Sequence, residues 1–104
     1  MIASGSNKGK IIIHNIADGA VIKEIEVGSC SNSIAYSKNS SRLAIGCSGE
    51  SCDGKCRVYC AENWELLKEI KHPNSVESVQ FTEDNGIVTG CYDNIIRTFD
   101  TAYE

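Results

Sequence analysis

The sequence is poor in the residues that would mark several familiar classes of protein. It has one proline, one tryptophan, one methionine and two histidines in 104 residues, and aromatic side chains make up only 7%. No apolar run approaches the roughly 18 to 20 residues that a membrane-spanning helix requires. The opening MIASGSNKGK also lacks the charged start and apolar core of an export signal. The expectation is a soluble chain with no membrane partner, not exported through this N-terminus. A block of one charge is missing too, since ten basic and fourteen acidic residues are scattered and sum to −4. Without a basic footprint to neutralise phosphates, no nucleic-acid partner is expected. A chain of this length makes one domain at most, and it buries only about 60 to 65% of the surface that the unfolded chain exposes.

What the sequence does have is glycine, nine residues, and cysteine, six. Six cysteines in a short exported chain would suggest a disulfide framework, but with no export signal the reducing interior is expected and the cysteines are read as thiols. The location expected on that ground is the cytoplasm, with the nucleus as the alternative.

The most informative stretch is NGIVTGCYDNIIRTFD, Asn85 to Asp100. Two β-rich runs flank a polar turn at Asp93-Asn94, the pattern of a hairpin. That pattern recurs. Ile2-Ala3-Ser4-Gly5-Ser6, Leu43-Ala44-Ile45-Gly46-Cys47 and Ile87-Val88-Thr89-Gly90-Cys91 align, with Gly46 41 residues after Gly5 and Gly90 44 residues after Gly46. The next run recurs as KIIIHN (10–15), KCRVYC (55–60) and IIRTFD (95–100), which puts His14, Tyr59 and Phe99 in one column and Asn15, Cys60 and Asp100 in the next. The distance from the glycine to the aromatic column is nine residues in the outer copies and thirteen in the middle one. An insertion of four residues in the loop from Ser48 to Gly54 accounts for the difference, and such loops tolerate insertions. Two runs suit a strand opening each unit, Ser33 to Ser37 and Ser78 to Thr82. Two more, Val21 to Val27 and Leu66 to Ile70, suit a closing strand and share Lys-Glu-Ile. A period of about 40 to 45 residues is that of propeller blades.

The hairpin resembles the inner hairpin of a WD40 repeat, usually something like LASGSxDGTIRLWD, with Phe99 standing where the family has tryptophan. The resemblance implies an all-β fold, a fragment of a WD40-type β-propeller with antiparallel four-stranded blades. Named a to d within a blade, the strands run b-c-d, a-b-c-d and a-b-c, and the units are 1–28, 29–73 and 74–104. Because propellers take about four to eight blades and the ends of a repeat array need capping, the remaining blades are expected to come from outside this sequence.

In this family a His before strand a, a Ser or Thr in strand b, an Asp in the b-c turn and a Trp in strand c form a buried hydrogen-bonded tetrad. The third copy offers His72, Thr89 and Asp93, but Phe99 has no N–H to donate. The expected remnant is a His-Thr-Asp triad, structural rather than catalytic. The second copy has no turn Asp in register. Family partners usually dock on the face that carries the d-a and b-c loops, which here implies Cys30, Asn32, Ser75, Glu77 and Tyr92. Tyr92 is the most suggestive, because an exposed aromatic gives large contact area at low entropic cost; the bland reading is a β-former packing on its turn. The acidic loop from Ser48 to Gly54, with Glu50 and Asp53, would project from the same side or simply be solvated.

Cys47, Cys52, Cys56 and Cys60 fall within fourteen residues and invite a zinc reading, but they lack paired knuckle spacing. The repeat register places Cys47 and Cys91 in one strand column, and Cys56 and Cys60 on a strand, as small core residues. No metal site is expected, and no cofactor. No Ser-His-Asp or Cys-His grouping and no phosphate-cradling glycine loop stands out, so no enzyme activity is expected. The implied function is a protein-protein interaction scaffold. Two alternatives are a Cys-cluster zinc domain and a ubiquitin-binding module, the latter because Ile70 to Arg97 resembles a late blade of the phospholipase-A2-activating, ubiquitin-binding WD40 proteins.

Overall fold

Each β-rich run becomes a strand in the computed structural model, which describes residues 2–5, 10–26, 30–39, 41–48 and 54–100. Ten strands follow in order: β1 (Ile2–Gly5), β2 (Lys10–His14), β3 (Val21–Glu26), β4 (Cys30–Tyr36), β5 (Arg42–Ser48), β6 (Gly54–Cys60), β7 (Leu66–His72), β8 (Val76–Phe81), β9 (Ile87–Cys91) and β10 (Ile96–Phe99). They form three antiparallel sheets, β1-β2-β3, β4-β5-β6-β7 and β10-β9-β8. No helix occurs among the described residues, so none crosses a membrane. The fold is all-β, and its strands follow the b-c-d, a-b-c-d, a-b-c order read from the repeat.

The opening strands start earlier than the sequence suggests, β4 at Cys30 and β8 at Val76 rather than at Ser33 and Ser78. Both ladders shift register at the same place, between Ser31 and Ser33 and between Val76 and Ser78. A β-bulge there interrupts the apolar alternation, which hides the first residues of the strand from a period-two reading.

The turns repeat as faithfully as the strands. After β4, the Ser37 hydroxyl oxygen accepts the backbone N–H groups of Ser41 (3.1 Å) and Arg42 (3.0 Å). After β8, Thr82 Oγ1 accepts the N–H of Gly86 (2.9 Å). Between β2 and β3, Gly19 N donates to Asn15 O (2.8 Å), and between β6 and β7 Trp64 N donates to Cys60 O (2.8 Å). Both residues sit in the left-handed region, Gly19 at φ 72° and Trp64 at φ 62°. Glycine adopts that conformation freely, whereas tryptophan does so at a cost.

Neighbouring sheets pack on one another, β1 against β4 and β4 with β5 against β8. The alternation of β5 divides the core in two. Leu43, Ile45 and Cys47 turn toward the first sheet and join Ile11, Ile13, Ile25 and Tyr59. Ala44 turns the other way and joins Cys56, Val58, Ile70, Val79 and Ile87. The middle sheet is thus covered on both faces, and the hairpin β9-β10 of the third sheet is held against it.

Candidate interaction face

The β9-β10 turn is built by short-range hydrogen bonds. Asn94 lies at φ 66°, which asparagine tolerates better than most residues. Its N–H donates to Cys91 O (3.1 Å), and Asp93 Oδ1 accepts the N–H of Ile95 (3.1 Å). Arg97 closes the turn from β10 with a two-pronged contact, Nη1 to Asp93 Oδ1 at 3.2 Å and Nη2 to Oδ2 at 2.8 Å. Those hydrogen bonds, outweighing a smaller desolvation, lower the Asp93 carboxyl to about 2. The turn is fastened to the loop ahead of β8: Tyr92 N donates to Ser75 O (2.8 Å) and Cys91 Sγ to Asn74 O (3.4 Å).

Ser75, Glu77 and Tyr92 are therefore brought to one corner of the third sheet. Ser75 is half-buried, Glu77 is exposed at the start of β8, and Tyr92 is 68% exposed. Sequence reasoning passed over Ile95, 50% exposed beside them. The signal was present in the alignment, where the same column holds Lys10 and Lys55. Asn32 and Cys30 lie on β4, but their side chains are outside the described residues, as are residues 49–53 of the inserted loop with Glu50, Cys52 and Asp53.

The expected triad divides into two devices. His72, buried at the end of β7, places Nε2 2.9 Å from Thr89 Oγ1 and Nδ1 3.2 Å from Ile70 O. A carbonyl only accepts, so Nδ1 carries the proton and Nε2 accepts the threonine hydroxyl. Phe99 meets the imidazole edge-on, with centroids 5.8 Å apart and planes at 64°. Asp93 faces Arg97 instead of the imidazole; its charge acts on His72 only at a distance. Burial lowers the His72 pKa, and Arg97 adds to this, while the Ile70 carbonyl and Asp93 pull the other way. The ring is neutral at pH 7 and serves as a latch between the second and third sheets. Arg97 was missed as a partner, although its place four residues after Asp93 across a tight turn was a usable signal.

In the second sheet the arginine of the same column, Arg57, turns to β7. Its Nε donates to Glu69 Oε2 (3.1 Å) and its Nη1 to Cys47 Sγ (3.1 Å), and Lys55 reaches Glu69 at 3.4 Å. Cys47 and Cys56 belong to different core clusters on opposite faces of this sheet. Burial, with a smaller contribution from Cys47, pushes the Cys56 thiol up to about 12, leaving it protonated. Cys47, Cys56, Cys60 and Cys91 are free thiols. No group of three or more His, Cys, Asp or Glu positioned for a metal occurs among the described residues.

Antiparallel sheets packed in succession, with a bulge at the start of β4 and of β8, are arranged as the blades of a β-propeller. Residues 64–100 match the family model for the WD domain, G-beta repeat, and no curated protein matches the chain by sequence. Among solved structures, the chain is similar to Sqt1 of Saccharomyces cerevisiae, at 24% identity and a TM-score of 0.84, covering 95% of this chain and 26% of that one. It is similar to the β-propeller domain of Cps50 (Swd1) from Myceliophteria thermophila, at 15% identity and a TM-score of 0.81, covering 94% and 31%. The WD40 β-propeller domain of Doa1 matches at 28% identity and a TM-score of 0.76, covering 92% and 31%. The chain has the fold of propeller blades, with residues 64–100 matching the WD domain model, and it spans between about a quarter and a third of the length of these solved structures. The WD40 propeller fold is commonly a protein-interaction scaffold.

Proposed function

We propose that the chain works as a non-catalytic protein-interaction scaffold within a WD40 propeller, and that the β9-β10 turn with the loop ahead of β8 is its docking face. The observation that carries this reading is the exposure of Tyr92 and Ile95 at columns where the middle copy has Ser48 and Lys55. A buried structural turn gains nothing from two solvated apolar side chains, whereas an interface gains an aromatic anchor flanked by an aliphatic one. The backbone bond from Tyr92 to Ser75 holds the anchor in place before a partner arrives, which lowers the ordering cost of binding. Glu77, exposed and without an ion pair among the described residues, adds a negative charge at the rim. The partner class that fits is a protein segment with an apolar group for Tyr92 and Ile95 and a basic residue near Glu77. The free thiols suit a reducing compartment, the cytoplasm or nucleus.

Affinity capture tests the face, with purified ubiquitin and a cell extract as probes and the chain immobilised in wild-type, Tyr92→Ala and Glu77→Ala forms. A partner held by this corner loses at least tenfold in affinity with Tyr92→Ala and less with Glu77→Ala. Unchanged capture by both variants removes the face from consideration.

A further inference from the structure

Asn85 is the one asparagine of the sequence that is followed by glycine, and the pair lies in the turn between β8 and β9. Two features of the structure suit it to that place. Asn85 sits in the left-handed region at φ 68°, which asparagine tolerates better than most residues. A Cβ on Gly86 would come within 2.6 Å of the Phe99 carbonyl oxygen, which is backbone and cannot swing aside, and within 3.0 Å of Thr82 Oγ1. The corresponding turn after β4 has Ser40-Ser41 in place of this pair.

An asparagine next to glycine carries its own electrophile and nucleophile. The side-chain amide carbon is within reach of the following backbone nitrogen, and glycine has no side chain to obstruct the approach. The Gly86 nitrogen gives up its proton and attacks Asn85 Cγ, forming a new C–N bond. The bond from Cγ to the side-chain nitrogen breaks, and ammonia leaves with the proton. Water then opens one of the two carbonyl–nitrogen bonds of the resulting succinimide, giving aspartate or its β-linked isomer. The net change is water in and ammonia out, with no oxidant or reductant.

In the folded turn the attacking nitrogen is occupied. Gly86 N donates to Thr82 Oγ1 at 2.9 Å, and the Thr82 hydroxyl gives its own proton to Asp84 Oδ1, which leaves its lone pairs for Gly86. The same hydroxyl is the first cause holding the Asp84 carboxyl below its ordinary value. Two backbone bonds brace the pair, from Thr82 N to Gly86 O at 2.9 Å and from Asn85 N to Thr82 O at 3.1 Å.

We propose that Asn85-Gly86 is a self-modification site, a succinimide-forming pair that the Thr82 hydroxyl holds inactive until the β8-β9 turn opens locally. Conversion would loosen the hairpin. Asn85 Oδ1 is buried with no hydrogen-bond partner among the described residues, so a carboxylate in its place is a buried charge without a donor. The β-linked isomer also adds a methylene to the backbone where Phe81 pairs with Ile87, at the start of the strand that carries Thr89. This chemistry needs no partner and is independent of the docking corner at Tyr92.

Site-resolved mass spectrometry of the 104-residue chain at mildly alkaline pH follows the conversion of each asparagine and separates the β-linked product. Asn85 should convert ahead of every other asparagine in urea and much more slowly in the native chain, where the Gly86 amide hydrogen should be protected from exchange. Thr82→Val frees the Gly86 nitrogen and should speed native-state conversion about two- to tenfold, the worth of one hydrogen bond. Thr82→Ser keeps the hydroxyl and should convert at the wild-type rate. Native conversion of the wild type as fast as in urea, an unprotected Gly86 amide, equal rates for Thr82→Val and Thr82→Ser, or another asparagine converting first in urea would each overturn the assignment.

Discussion

The two junctions between sheets are built on the same backbone plan and filled differently. The first is a wide apolar contact in which Ile11, Ile13 and Ile25 meet Leu43, Ile45 and Tyr59, with Trp64 packed against its margin. The second is slimmer, with Ala44, Cys56 and Val58 against Val79 and Ile87, and it carries the His72-Thr89 hydrogen bond. Thr89 occupies the column that holds Ile45 in the first junction. One plan therefore tolerates either an aliphatic side chain, which stabilises by area removed from water, or a satisfied polar pair, which adds little net energy but penalises any misplacement. The first junction gives strength, and the second gives geometric definition to the hairpin that presents Tyr92.

The contrast between covered and uncovered positions of one alignment column, Ile11 and Ile96, can be broken most forcefully at Ile11. Truncating a fully buried isoleucine costs about 2–5 kcal/mol. Ile11→Ala should therefore unfold the chain at much lower denaturant, whereas Ile96→Ala, at a solvated site, should change stability by about 0.5 kcal/mol or less. Equal losses in urea unfolding would mean that Ile11 and Ile96 are not structural counterparts. A smaller separation is expected at the glycines. Gly46→Ala must push back Val76, including its backbone, and should cost about 1–3 kcal/mol. Gly90→Ala displaces only the Ser78 hydroxyl and should be near neutral.

The architecture was open to reading from the sequence because it rests on repetition. The spacing of Gly5, Gly46 and Gly90 and the shared Lys-Glu-Ile reported the strand order without any local prediction of structure. Three features were not legible, each for a physical reason. The bulges at Ser31-Ser33 and Val76-Ser78 break the alternation that marks a strand, so β4 and β8 looked shorter than they are. Asp93 was matched to His72 because the family resemblance supplies that pairing, but a carboxylate next to a guanidinium of suitable reach prefers the charge-assisted two-pronged contact. Trp64 gave no sign of standing in for glycine, since a left-handed backbone position occupied by a large side chain has no signature in composition. On the candidate face, Tyr92 was legible as an aromatic in a turn, whereas Ile95 needed the alignment column to be compared for polarity.

The polar latch separates the two junctions by pH. Thr89→Val keeps the shape but leaves His72 Nε2 buried without a donor, at an expected cost of about 1–2 kcal/mol. The His72 pKa lies below its ordinary 6.5 because the ring is buried, so the unfolded chain takes up a proton more readily than the folded one. Stability tied to the neutral ring is then complete above about pH 6.5 and declines as the pH falls through the lower folded value. His72→Gln should flatten that decline, and Ile11→Ala should leave its slope unchanged. A second decline, through the range from the ordinary carboxyl value of 3.8 toward about 2, belongs to Asp93 and should vanish with Asp93→Asn.

A small effect is expected where two costs nearly cancel, at Trp64. Gly19 and Trp64 close equivalent turns with the same hydrogen bond and the same positive φ, so Trp64→Gly relieves a left-handed strain of about 1–2 kcal/mol. The indole is half-buried against the cluster of the first junction, and losing that packing costs roughly half of the 3–5 kcal/mol typical of a fully buried tryptophan. A net loss of less than about 1 kcal/mol is expected, measured by circular dichroism because Trp64 is the sole tryptophan and the variant has no indole emission. Gly19→Ala meets no neighbouring atom and tests the strain alone, with an expected cost of about 1 kcal/mol. If Trp64→Gly stabilises the chain, strain outweighs packing and the indole is not a working part of the first junction. If it destabilises by much more than Gly19→Ala, the junction extends outward to the turn, and the second blade depends on its tryptophan as the first depends on its glycine.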